Sequence, residues 1–165
     1  MEKLQGIAVK RLVFVGRKKA GKAALIKQFS GQADSDLING EAKLPGVIRL
    51  DPYDIDVILD SIDIEDLYEF KDEENIRQIK SLAASDFLII VLDGTERITE
   101  EEKQLINLLR KLSIPHLAAV NKIEYGVNSE LLTEIKSLRL VHFEISCKEN
   151  VGIEALKAKL IRMLP

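Results

Sequence analysis

The run Leu12-Val13-Phe14-Val15 and the segment that follows it, Gly16-Arg17-Lys18-Lys19-Ala20-Gly21-Lys22-Ala23, are the most informative part of this chain. Four consecutive apolar residues predict a buried strand, and the two glycines bound a turn that leads into an amphipathic helix. The spacing G-x-x-x-x-G-K is typical of a phosphate-binding loop, where backbone N–H groups hold the phosphates and the lysine reaches the β and γ groups. We therefore predict that residues 16–23 bind phosphate, against the simpler interpretation of a lysine-rich turn.

One position of this loop departs from the motif. The residue after the lysine is normally Ser or Thr, because its hydroxyl ligates Mg²⁺. Ala23 stands there and offers only a methyl group. We therefore assign no metal-binding residue and expect Mg²⁺ to bind weakly or to be dispensable.

Composition limits the classes of protein to which the chain can belong. Its 165 residues suffice for one well-packed domain, so we predict a single domain over residues 1–165. The net charge of −3 argues against a protein whose whole surface binds nucleic acid or an anionic membrane. Cys147 is the only cysteine, which excludes an internal disulfide and a four-cysteine zinc site and fits the reducing cytoplasm. No apolar run has the length that a bilayer span needs.

Strand and helix patterns alternate along the chain, which predicts an α/β fold with a mostly parallel sheet and helices on both faces. The predicted strands are residues 11–15, 54–60, 87–92, 117–120 and 140–145. The predicted helices are residues 21–29, 99–112, 128–138 and 152–164, with a further helical pattern at 76–83. Residues 30–52 are predicted to form a long loop with a possible edge strand at 47–50.

Two further polar turns follow predicted strands, and they have the chemistry to bind a base. Ligands of parallel sheets lie outside the carboxyl ends of the strands, so these turns and the phosphate loop should converge. In Asn121-Lys122-Ile123-Glu124, a carboxylate two residues past the lysine can accept two hydrogen bonds from guanine while the lysine stem covers the ring. We predict base contacts from Asn121, Lys122, Glu124, Ser146, Cys147 and Lys148.

These motifs together resemble the G domain of the translation-factor (TRAFAC) class of GTPases. The narrower likeness is to the TrmE–Era–EngA group, and within it to the G domain of the FeFe-hydrogenase maturation GTPases (HydF). The matching segments are residues 16–22, Ser113-Ile114-Pro115, residues 121–124 and residues 146–152. The resemblance implies a three-layer Ras-like P-loop fold and GTP or GDP as the ligand; it is strong from residue 85 onward and poor between residues 30 and 74.

The chain departs from this family at the residues that act on the γ-phosphate. The family has Asp-x-x-Gly where this chain has Asp60-Ser61-Ile62-Asp63, and a carboxylate at position 63 would repel that phosphate. The family also uses a loop threonine as a second Mg²⁺ ligand, but no threonine precedes Thr95. Glu124 is one methylene longer than the family's aspartate, which could shift the base or weaken guanine selectivity.

These departures predict a guanine-nucleotide-binding protein with weak or absent GTP hydrolysis, and we assign no catalytic residue. The alternative is a nucleotide-free pseudo-GTPase that serves as a protein-interaction domain. A third interpretation is an ordinary GTPase with an unusual Mg²⁺ shell.

The acidic segment of residues 60–74 follows the second predicted strand and faces an unusually basic phosphate loop. It could fold over the site in place of a γ-phosphate. It could equally remain a solvated surface for a protein partner, because exposed ion pairs contribute little. We expect contacts with nucleotide and protein, and none with nucleic acid or membrane.

Overall fold

Strand β1 (Lys10–Gly16) lies in the middle of a six-stranded sheet. The computed structural model describes residues 9–30, 37–38, 41–42, 47–50, 55–69, 82 and 84–164. The strand order is β4-β5-β1-β6-β7-β8. All neighbouring strands are parallel except β4, which pairs antiparallel with β5 at one edge. Strands β2 and β3 form a separate antiparallel pair.

The bounds of the elements follow the alternation that the sequence predicts. In chain order they are β1, α1 (Lys22–Ser30), β2 (Leu37–Ile38), β3 (Glu41–Ala42), β4 (Val47–Leu50), β5 (Ile55–Asp63), α2 (Ile64–Glu69), β6 (Phe87–Asp93), α3 (Glu100–Lys111), β7 (His116–Asn121), a 3-10 turn (Ile123–Tyr125), α4 (Ser129–Ser137), β8 (His142–Glu144) and α5 (Ile153–Met163).

Alternate residues of β1 pack into two separate cores, one on each face of the sheet. Leu12 and Phe14 join the core that contains the apolar residues of α1 and α5. Val13 and Val15 join the core that contains those of α2, α3 and α4. All four side chains are fully buried. The predicted α/β class with helices on both faces of a mostly parallel sheet is therefore confirmed.

The start of helix α3 shows how local sequence fixes an element. Thr99 caps the helix, its hydroxyl accepting from the Glu102 backbone N–H at 3.1 Å. Glu102 returns the contact, its carboxylate accepting from the Thr99 N–H at 2.8 Å. This reciprocal pair is a capping box, and it begins the helix where the sequence predicts.

The observed elements between β1 and β6 differ in part from the predicted ones. The edge strand at residues 47–50 is confirmed, while the short β2–β3 pair within the predicted loop was missed. Strand β5 continues three residues beyond its predicted end at Asp60 and reaches Asp63. The helical pattern at 76–83 lies outside the described residues apart from the helical Leu82. Among the described residues, none of the helices combines the length and apolar character required of a membrane span.

Candidate nucleotide site

The loop between β1 and α1 closes around the side chain of Lys22. This lysine is 6% exposed, and its Nζ donates to the carbonyl oxygens of Gly16 at 2.8 Å and Arg17 at 2.7 Å. A backbone hydrogen bond, in which the Ala20 N–H donates to the Arg17 carbonyl at 3.0 Å, closes the turn. The ammonium is thus held inside the loop, at the N-terminus of a nine-residue helix. A loop of this shape places a fixed positive charge beside the backbone N–H groups that bind anions.

Gly21 meets two requirements that only glycine satisfies. Its φ of +106° lies in the region that side chains disfavour. A Cβ at this position would also collide with Nδ2 of Asn121. The second glycine of the motif is therefore required by the approach of another turn as well as by its own backbone.

Asn121 joins the three predicted turns at the carboxyl ends of the strands. Its Nδ2 donates to the Ala20 carbonyl at 3.0 Å, and its Oδ1 accepts from the Cys147 N–H at 3.1 Å. The side chain is buried, and both contacts are shielded from water. The predicted convergence of residues 16–22, 121–124 and 146–148 is confirmed.

Lys122 adopts a left-handed backbone conformation with φ of +69°, which turns its side chain back toward the phosphate loop. Its Nζ donates to the Lys19 carbonyl at 2.7 Å and to Asp93 Oδ2 at 3.0 Å. Burial would raise the pKa of Asp93, but hydrogen bonds from Thr95 and the charge of Lys122 outweigh it and lower that pKa. Asp93 was not predicted as a site residue, although its position at the end of β6 is a usable signal.

Glu124 presents a carboxylate beside this junction. Its side chain as a whole is partly exposed, yet Oε1 is shielded from solvent and has no hydrogen-bond partner among the described residues. A hydrogen bond from Ser146 is the main cause that lowers the pKa of Glu124 below its ordinary value. The carboxylate therefore stays ionised near neutral pH, with one acceptor atom available to a ligand.

The other predicted base contacts take different positions. Ser146 is buried, and its Oγ accepts from the Glu149 N–H at 2.9 Å. Cys147 offers its backbone N–H to Asn121, while burial raises the pKa of its thiol to about 12, so the thiol stays protonated. Lys148 is exposed, with Nζ 3.4 Å from the Tyr125 hydroxyl and 5.6 Å from the centre of that ring.

The register of β5 decides which aspartate of the predicted switch motif lies beside the phosphate loop. Gly16 pairs with Asp63, whereas Asp60 pairs with Val13 in mid-strand and lies 2.8 Å from Arg11 Nε. Asp63, the residue that ends the strand, places Oδ1 2.8 Å from Lys22 Nζ. Asp63 and not Asp60 therefore stands beside the phosphate loop. The equivalence of Asp60-Ser61-Ile62-Asp63 with the family's Asp-x-x-Gly remains a prediction.

A second carboxylate, two residues after Asp63, also contacts the phosphate loop. Glu65, in the first turn of α2, accepts a hydrogen bond from the Lys18 backbone N–H through Oε2 at 3.2 Å. Its Oε1 is shielded from solvent and unpartnered among the described residues. The structure thus brings the start of the acidic segment onto the loop, which is one of the two positions that the sequence analysis left open for residues 60–74.

Arg17 is held by two acidic residues that the sequence analysis also missed. Its guanidinium lies 2.8 Å from Glu96 and 3.2 Å from Glu102. Burial would lower the pKa of Arg17, but these two carboxylates outweigh it and raise that pKa. Glu102 is fully buried, and desolvation raises its pKa despite Arg17 and the capping-box contacts. The loop is thereby tied to the start of α3.

Among the described residues, the side chains near the loop do not supply a set of ligands for Mg²⁺. Ala23 has no oxygen on its side chain, and Asp63 is engaged by Lys22. Within the part of the chain that the structure describes, no three carboxylate, histidine or cysteine side chains converge to hold a metal ion. These residues do not fit the metal shell of a complete G domain.

Comparison with known proteins identifies the family of the chain. The family described as 50S ribosome-binding GTPase matches residues 11–122. The chain is similar to GTPase Der of Dechloromonas aromatica, with 30% identity over 168 residues that cover 93% of this chain and 36% of that protein. It is also similar to the tRNA modification GTPase MnmE of Actinobacillus pleuropneumoniae, with 28% identity over 157 residues that cover 91% of this chain and 34% of that protein.

Solved structures share the fold. An Aquifex aeolicus Era variant bound to GDP and aluminium fluoride superposes with a TM-score of 0.71 and 20% identity, covering 95% of this chain and 57% of that one. The FeoB G domain of Methanococcus jannaschii superposes with a TM-score of 0.71 and 15% identity, covering 94% of this chain and 97% of that one. These neighbours confirm the Ras-like P-loop fold. The chain spans about a third of the length of the curated relatives that it matches. Because the family match extends over more than half of its residues, the chain belongs to the 50S ribosome-binding GTPase family as a G domain.

Proposed function

We propose that this G domain binds GDP and GTP through a complete base site but hydrolyses GTP weakly or not at all. The observation that carries the proposal is the carboxylate of Glu124, whose Oε1 is shielded and has no partner among the described residues, beside the turn that Asn121 holds in place. A buried acceptor without a partner is costly, so its retention favours a ligand with matching donors.

Guanine supplies the donors that this carboxylate lacks. Its ring N–H and exocyclic amine present two adjacent donors, which an ionised carboxylate can bind together. The Lys122 stem lies next to this position, because its ammonium is fixed on Lys19 and Asp93. Adenine presents an acceptor where guanine has its ring N–H, so the ionised Glu124 should reject it.

Weak hydrolysis is supported by the residues around the phosphate loop. Phosphoryl transfer in P-loop proteins relies on Mg²⁺ held by the loop Ser or Thr and by an aspartate at the end of the neighbouring strand. Asp63 takes that strand position, but Ala23 provides no second oxygen and Lys22 already pairs with Asp63. We therefore expect Mg²⁺ to contribute little to nucleotide binding.

A second candidate is a nucleotide-free interaction domain. Two contacts favour it. The Asp63 carboxylate pairs with the Lys22 ammonium, and the Glu65 carboxylate accepts a hydrogen bond from the Lys18 N–H. Both carboxylates use groups that bind phosphate in a phosphate-binding loop. The nearness to hydrogenase maturation GTPases, the cytoplasmic location and a protein partner for residues 60–74 remain predictions.

Titration calorimetry with GDP and ADP separates the two candidates. We expect GDP to bind more tightly than ADP, and Glu124→Ala to remove that difference. Glu101→Ala is the control, because Glu101 is exposed on α3 and lies outside the predicted base-binding residues. Equal affinity for GDP and ADP in the unsubstituted protein would contradict the base site. Failure of both nucleotides to bind would favour the interaction domain.

A further inference from the structure

We propose that Glu65 is a specificity-determining residue that makes the phosphate loop select nucleoside diphosphates over triphosphates. This inference rests on the proposed binding of guanine nucleotide and adds the number of phosphates that the site accepts. Its basis is the position of the Glu65 carboxylate at one end of the loop.

The Glu65 carboxylate is seated on the loop as an anion would be. Oε2 accepts from the backbone N–H of Lys18 at 3.2 Å, and Oε1 is shielded from solvent. A cavity of about 280 Å³ lies alongside, lined by residues 17–20 together with Glu65, Asp93 and Glu96. Glu65 is partly exposed, but its carboxylate forms part of the wall of the phosphate site.

The direction of the loop identifies which phosphate Glu65 would replace. The α- and β-phosphates of a P-loop ligand lie at the helix N-terminus, here residues 21–23, and the lysine reaches the β and γ groups. Lys22 Nζ is held over the carbonyls of Gly16 and Arg17, at the opposite end of the loop. Glu65 contacts Lys18 at that same end. A diphosphate can bind beside Glu65, whereas a γ-phosphate competes with it.

Packing of α2 keeps Glu65 in this place. Ile64, directly before it, and Leu67, two residues after it, are 1% and 3% exposed and belong to the core beneath α2. Asp63, the last residue of β5, is fixed by Lys22 at 2.8 Å. With the start of α2 held in place, a γ-phosphate must either displace the Glu65 side chain from the loop or bind close to its negative charge, and both cost free energy.

Asp66 provides a matched comparison within the same helix. It carries the same charge one residue further on, is partly exposed, and makes no hydrogen bond or ion pair with the residues that the structure describes. If bulk acidity of the segment controlled binding, neutralising Asp66 and neutralising Glu65 would have equal effects. Occupation of the loop predicts an effect from Glu65 alone.

The test measures the affinities for GDP and for a non-hydrolysable GTP analogue by titration calorimetry, for the unsubstituted chain, Glu65→Gln, Glu65→Ala and Asp66→Asn. We expect the unsubstituted chain to favour GDP by at least about tenfold. Both Glu65 variants should reduce this ratio by about tenfold, chiefly by tighter binding of the analogue, and Asp66→Asn should leave it unchanged.

Two results would overturn the inference while leaving the proposed function intact. One is equal affinity of the unsubstituted chain for GDP and the analogue. The other is an unchanged ratio in both Glu65 variants whose thermal unfolding matches that of the parent. Absence of GDP binding in all four proteins would instead refute the proposed function, and the inference with it.

Discussion

Asp93 and Lys122 form an ion pair 3.0 Å long that ties the end of β6 to the base-binding turn. Asp93 is 12% exposed and Lys122 is 30% exposed, so the pair is partly shielded from water. The same ammonium holds the Lys19 carbonyl at 2.7 Å. One side chain thereby fixes the distance between the base turn and the phosphate loop.

Loss of this pair should weaken nucleotide binding. In Asp93→Asn the lysine loses its charged partner, and we expect GDP affinity to fall roughly fivefold, or about 1 kcal/mol. Titration calorimetry at low salt measures it. Thr95→Ala is the control, because it removes the hydroxyl contact to Asp93 and leaves the Lys122 contact in place. Unchanged affinity in Asp93→Asn would show that Lys122 needs no anchor.

The buried carboxylate of Glu102 predicts a pH dependence of stability. Its pKa is raised in the folded protein, so the folded state binds more protons than the unfolded state between the two pKa values. Stability should therefore decrease as pH rises from about 4.5 through the folded pKa, and then level off. Glu102→Gln keeps the capping box and should remove this part of the pH dependence in urea unfolding.

The exposed neighbour Glu101 offers the control for this measurement. Glu101→Gln changes the same charge on the same turn, and the Glu101 side chain is exposed, without an ion pair to any described residue. Its unfolding should follow the pH profile of the parent. If Glu102→Gln and the parent show the same profile, the Glu102 pKa is not raised in the folded protein.

Gly21 and Gly126 separate backbone strain from close packing. Both have positive φ, +106° and +89°, but a Cβ at Gly126 would meet nothing within 4 Å whereas one at Gly21 would meet Asn121. Gly126→Ala should lower the free energy of unfolding by about 1–2 kcal/mol from backbone strain. Gly21→Ala should cost more and also abolish GDP binding, measured by urea unfolding and calorimetry. Equal costs would mean that Asn121 moves aside freely.

The sequence predicts the fold well because the signals are local. Alternating apolar runs mark the strands, and Thr99 with Glu102 marks the start of α3. The approach of Asn121 to Ala20 follows from topology, since parallel strands end at one edge. These features require only a short window of residues or the general rule for such sheets.

The contacts that set the chemistry of the loop were not predictable in this way. Glu65 meets Lys18 across 47 residues, and Glu102 meets Arg17 across 85, with no local pattern to announce either. The end of β5 was misplaced because Ser61 follows Asp60 and interrupts the apolar alternation. Only the register with β1 shows that Asp63 is the residue at the loop.

Restoring the motif at Ala23 tests whether the missing hydroxyl is the reason that Mg²⁺ contributes little to nucleotide binding. Ala23→Ser places a hydroxyl on the residue after Lys22, at the start of α1. We expect Mg²⁺ to raise the GDP affinity of this variant roughly fivefold, or about 1 kcal/mol, because the hydroxyl is the missing ligand. The parent chain should bind GDP equally with Mg²⁺ and with a chelator. Ala24→Ser, exposed one residue further along the helix, should behave like the parent. A large loss of affinity when the parent is chelated would contradict the proposal, because it would mean that other residues already complete the metal shell.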